Sequence, residues 1–254
     1  MPNLKLPILL SLPILLSLGV LILLAMLRLG VWQLDRASQK QYLLDQQLTR
    51  SSQVAVPIAG LGDDLNTPDK TRFTNVVAEG HYLSSGTILI DNQVFAGQVG
   101  YQVYSALQLH SMESVILVDR GWISVGASRQ ILPEVSVPDG PARLTGRLNL
   151  PPSQPPLWNQ KYPVNQGSVW AYLPIEQYRQ QFQIKAMPIV LELAPSAPQD
   201  PQLRRAWEQI NDQWVAKHKG YAFQWFAMAL AFFIACLVLL QRHIRSKRKA
   251  QAPN

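Results

Sequence analysis

Two long apolar runs bracket a middle in which hydrophobic and polar positions alternate, and this pattern sets the expected architecture. Residues 6–27 carry no charge, and within 218–240 the positions after Lys219 hold no ionisable group except tyrosine and thiol. As helices rising about 1.5 Å per residue, both runs suffice for the roughly 30 Å hydrocarbon core of a bilayer. A cleaved signal peptide is the rival reading of the first run. Its apolar region is usually about 7–15 residues and ends at a small-x-small site. Here the run is longer and continues as Arg28-Leu29-Gly30-Val31-Trp32. An uncleaved anchor is expected, with Pro13 kinking it or marking its start.

Between the runs the period is two. Strands are predicted over 72–82, 87–93, 101–109, 114–123, 142–149, 168–173 and 189–193, separated by Ser84-Ser85-Gly86, the stretch 97–100 and Pro138-Asp139-Gly140. Pro174 followed by IEQYRQQF predicts a short helix with proline at its first turn. Residues 204–214 fit strand or helix equally. The proline-rich stretch 151–163 is expected to be an ordered loop pinned by Trp158 and Tyr162. The fold class is therefore a membrane protein of α+β type, with two transmembrane helices flanking an extracytoplasmic antiparallel β-rich domain, barrel- or sandwich-like. The expected division is 1–5 cytoplasmic, 6–27 first span, 28–217 β-rich domain, 218–240 second span and 241–254 basic cytoplasmic tail.

Composition and charge refine this picture. Of 254 residues, 48% are apolar and only 15% charged, against about a quarter charged in ordinary soluble domains. The net charge is +7, but Arg242, Arg245, Lys247, Arg248 and Lys249 supply five of it just past the second run, which leaves +2 elsewhere. That distribution describes a membrane-flanking tail, not a nucleic-acid surface. The heaviest Lys/Arg cluster stays cytoplasmic, so two spans put both termini there and the middle outside. Arg28, Arg36 and Lys40 oppose this orientation but are fewer. Cys236, the sole cysteine, lies in the second run, so the middle forms no disulfide.

The chemistry visible in sequence is sparse. His81, His110, His218 and His243 show no metal-ligand spacing, and no nucleophile elbow, phosphate loop or dinucleotide fingerprint occurs. No enzyme is indicated. Asp119-Arg120-Gly121-Trp122 closes a buried-looking strand, read as a strand-end ion pair with a packed indole or as a partner-facing surface. His218, Tyr221, Ala222, Trp225 and Ala229 recur at helical spacing on one face at the mouth of the second span. Arg28, Trp32 and Arg36 recur every four residues beyond the first span, either as snorkelling arginines with a belt tryptophan or as an anion-holding ridge.

In order along the chain, Leu29-Gly30-Val31-Trp32-Gln33-Leu34-Asp35-Arg36, Gly80-His81-Tyr82, Gly100-Tyr101-Gln102-Val103, Val118-Asp119-Arg120-Gly121-Trp122-Ile123 and His218-x-x-Tyr221-Ala222-x-Gln224-Trp225-Phe226 resemble the Surfeit locus protein 1 family. Asp119 and the stretch 211–217 depart from its pattern. The resemblance implies an assembly factor for haem–copper cytochrome c oxidase in a bacterial inner membrane, assisting haem a insertion into subunit I. It implies oxidase subunits and the haem a synthesis machinery as partners, with membrane lipid around the spans. It also implies transient haem a binding, with His218 as iron ligand, Tyr221, Trp225 and Trp32 as packing partners, and Arg28 and Arg36 on the propionates. The alternative is a cofactor-free scaffold that grips oxidase subunits.

Overall fold

The computed structural model describes residues 12–126, 128–153, 165–197, 200–205 and 212–250, which form two units. Trp158 and Tyr162 of the expected ordered loop lie outside the described residues, as do 206–211 of the ambiguous stretch.

The first unit pairs two long helices, α1 (Leu12–Ser51), which it contains as far as Asp45, and α4 (Asp212–Ala250). Gly30, Ala37 and Leu44 are buried at seven-residue intervals on α1, and Val215, Ala222 and Ala229 on α4. Half-buried Met26, Gln33 and Lys40 fill the intervening positions of α1, and His218, Trp225 and Phe232 those of α4. This three-four spacing is the seam of an antiparallel, coiled-coil-like helix pair. Its contacts run in opposite order along the two helices. Gly19 approaches Cys236, Gly30 accommodates the Phe226 ring, and Lys40 lies 4.9 Å from the Trp214 ring centre. Away from the seam the apolar side chains face outward: Leu21 is 63% exposed and Phe223 73%. Both helices are long and apolar enough to cross a membrane.

Among the described residues, the second unit is a mixed nine-stranded sheet. Its strands are β1 (Val56–Pro57), β2 (Asn75–Tyr82), β3 (Ile88–Phe95), β4 (Gln98–Leu109), β5 (Val115–Ser124), β6 (Pro141–Asn149), β7 (Asn165–Gln166), β8 (Val169–Trp170) and β9 (Ala186–Leu193). A 3-10 segment (Ile58–Asn66), α2 (Pro68–Thr71) and α3 (Ile175–Phe182) complete it. The succession β2–β6–β9–β5–β4 returns to β2 through the additional β2–β4 pairing, so five strands close into a barrel. β6 lies beside β2, which pairs with β4, which pairs with β5, the order of a Greek key.

All five strands fill the barrel interior, with Val76, Ala78, Leu107, Leu109, Ile116, Val118, Leu144, Ile189 and Leu191 packed together, and Ile58 and Leu65 joining them from the 3-10 segment. Outside, Trp170, Tyr178 and Ile90 pack on the reverse of β4 and β5. β5 is therefore buried on both faces, which is why Val115–Val118 reads as a continuous apolar run rather than an alternation.

The expectation of an antiparallel domain needs correction. β5–β9, β1–β2 and β3–β8 pair in parallel. β9 slots between β5 and β6 only after the chain has crossed through α3, the kind of long connection a parallel pair requires. Alternation marks strand faces but carries no strand direction.

Candidate functional site

Near the start of α4 a polar contact ties the two helices within their seam. His218 Nδ1 lies 2.7 Å from Gln33 Oε1. An amide oxygen only accepts, so Nδ1 is the donor in this contact, and in the neutral ring the Nε2 lone pair is then the acceptor. Fixing one ring nitrogen in this way is how proteins present the other to a metal.

The stripe read on α4 is divided by this packing. Ala222 and Ala229 are consumed in the seam, at 1% and 2% exposure, whereas His218 and Trp225 occupy it only half-buried and Tyr221 lies outside it. On α1, Arg28, Trp32 and Arg36 are exposed, and the Arg36 guanidinium lies 5.9 Å from the Trp32 ring centre. The structure thus joins His218 to α1 through Gln33, a residue that sequence reasoning gave no role. Its signal was present as an amide in heptad register with Gly30 and Ala37.

The Asp119–Trp122 segment is interior. Asp119 and Arg120 are each 3% exposed and Trp122 6%, so they do not form the partner-facing surface considered from sequence. Nor do the first two pair with each other. Arg120 Nη2 binds Asp200 at 3.0 Å, Nη1 donates to the Ser136 carbonyl at 2.8 Å, and the guanidinium lies 5.5 Å from the Tyr82 ring centre. Trp122 Nε1 donates to the Gln93 carbonyl, and its backbone exchanges both hydrogen bonds with Arg204. Gly121, at φ +129°, permits that approach, because a Cβ there would run into the Arg204 carbonyl.

Asp119 accepts instead from Gln102 Nε2 at 2.6 Å and from the Gly121 amide at 3.2 Å. Burial pushes its carboxyl up to about 8, further raised by Glu192 and opposed by the bonds from Gln102, Tyr104 and Gly121. The unfolded chain releases this proton near pH 4, whereas the fold keeps it up to about 8. Stability is therefore highest at the acid end of that window and falls as pH rises, by about 1.4 kcal/mol per pH unit for this group. We expect Asp119→Asn to match the wild type in thermal melting near pH 4 and to exceed it by a growing margin up to pH 8. An equal difference at both pH values would refute the assignment.

A family model described as the SURF1 family matches residues 20–230. No curated protein matches the chain. The matched span takes in the whole β domain, the Gln33–His218 contact and every motif quoted above, and on that basis the chain belongs to the SURF1 family.

Proposed function

We propose that this chain assists assembly of cytochrome c oxidase by holding haem a at the mouth of its helix pair and passing it to subunit I. Association with oxidase assembly is the general property of the SURF1 family, and haem handling is our reading for this chain. The hydrogen bond from His218 Nδ1 to Gln33 carries it. A neutral imidazole with Nε2 available is a common axial ligand of haem iron.

The reading assigns further residues of the two helices to the cargo. Tyr221 offers an exposed ring beside His218 for packing against an apolar macrocycle, with half-buried Trp225 further along the seam. Arg36 and, from the face of α1 turned away from the seam, Arg28 are the cations this reading assigns to the propionates through charge-assisted hydrogen bonds. One histidine ligand suits a carrier that must also release.

The same reading places α1 and α4 across the bilayer. Outward-facing apolar side chains on both helices need a non-aqueous partner, which lipid supplies. The Lys/Arg-rich end of α4 then stays cytoplasmic and the β domain lies on the other side. The His218–Gln33 bond also fits a second reading, a cofactor-free scaffold in which it merely clasps the helices.

One experiment separates the two. The protein is purified from cells making haem a, and absorption spectra are compared for wild type and His218→Ala. Haem handling predicts a haem a spectrum in the wild type, lost or shifted in the variant. A haem-free wild type, or a variant with equal content and an unchanged spectrum, leaves the scaffold.

A further inference from the structure

The barrel brings together two histidines that are 29 positions apart in the chain. Val76 and Ala78 of β2 and Leu107 and Leu109 of β4 point inward, so Glu79, His81 and His110 project from the outer face. Gly80 pairs with Leu109, and the His110 amide donates to the Glu79 carbonyl at 3.0 Å. The two exposed imidazoles have ring centres 6.0 Å apart, with planes inclined by 30°. Glu79 and His110 also line a cleft of about 330 Å³ with Pro57, Ile58, Ser111 and Arg143.

An imidazole nitrogen about 2.0 Å from a metal puts each ring centre roughly 3 Å from it. Two rings 6.0 Å apart are thus spaced to hold one ion between them. Glu79 is turned to Arg143, at 3.0 Å, and among the described residues no three such side chains yet meet. That ion pair is 56% and 74% exposed, so little opposes its opening.

We propose that His81 and His110, with Glu79 swinging in as third ligand, form a site for a borderline divalent transition-metal ion, Cu2+ or Zn2+. Imidazole and carboxylate suit both ions, and Cu2+ binds more tightly in the general order of affinities. Water completes the coordination on the solvent side.

The test uses the full chain in detergent, without a histidine tag and stripped by chelation, in a His218→Ala background to silence the seam imidazole. Titration calorimetry with CuSO4 and with ZnCl2 is expected to show one ion per chain. His81→Asn and His110→Asn should each weaken binding by roughly tenfold or more, Glu79→Gln should weaken it less, and Arg143→Gln should tighten it. Electron paramagnetic resonance of the Cu2+ form should show coupling to two nitrogens, reduced to one in either histidine variant. The site is overturned if binding is not saturable at one ion, if the double histidine variant keeps the parent affinity, or if the nitrogen coupling does not change. Unchanged affinity in Glu79→Gln overturns the three-ligand form.

Discussion

Replacing Gly80 with alanine is expected to destabilise the β domain by on the order of 3 kcal/mol, at the upper end for overpacking. Gly80 sits where β2 pairs on both sides at once, opposite Leu109 of β4 and Ala142 of β6. A Cβ there would overlap the carbonyl of Gln108 and press on the Leu107 side chain. The obstacle is backbone, so no rotamer change relieves it. β2 must leave β4, and the barrel opens along the line where it closes. Gly60→Ala is the control, because nothing lies within 4 Å of a Cβ at that position. Thermal melts in detergent should separate the two variants, and amide exchange should quicken at 107–109 in Gly80→Ala. Equal melting temperatures would mean that the β2–β4 closure contributes little.

The same glycine shows what was legible in the sequence. Gly80-His81-Tyr82 stands out in the family resemblance, yet only the closed barrel explains its parts. Gly80 permits the closure, Tyr82 packs against Arg120 from within, and His81 meets His110 outside. The long strands β2 to β6 and β9 followed from the pattern and Ile175–Phe182 from its proline-led start. The turn expected over 97–100 falls largely within β4, β7 was not expected, and the strand expected over 168–173 shrinks to Val169–Trp170. The short segments Val56–Pro57, Ile58–Asn66 and Pro68–Thr71 did not follow from the pattern, since their apolar residues lack either period.

Strand direction was also hidden. Pairing of β5 with β9 is a long-range choice made by the barrel's closure, not by local pattern. At the helix pair, the stripe read on α4 is divided: Ala222 and Ala229 are buried in the seam and Tyr221 lies outside it. Small residues at Ala222 and Ala229 serve α1 rather than a ligand, because close helix approach requires them there. Gln33 entered only once the heptads of both helices were set against each other.

Removing the interior cation is the second large effect, with Arg120→Leu expected to cost about 3–5 kcal/mol. The side chain is 3% exposed and its partner Asp200 19%. A β-bulge interrupts the β4–β5 ladder at Val103/Tyr104, opposite the Asp119–Gly121 stretch. Bulges re-aim side chains, and Arg120 here reaches Ser105, Ser136 and Asp200. Leucine leaves a carboxylate, a carbonyl and a hydroxyl without their shared donor. The loss is mainly the exposure of those acceptors to a low-dielectric setting, so Arg120→Leu combined with Asp200→Leu should recover part of it. The control is Arg143→Leu, which breaks the exposed pair with Glu79 and should cost about 0.5 kcal/mol. Sodium chloride at high concentration should weaken the second pair and hardly touch the first. If Arg120→Leu proves as mild as Arg143→Leu in denaturant titrations, the segment at Asp200 is held by its backbone bonds to Trp122 and not by this ion pair.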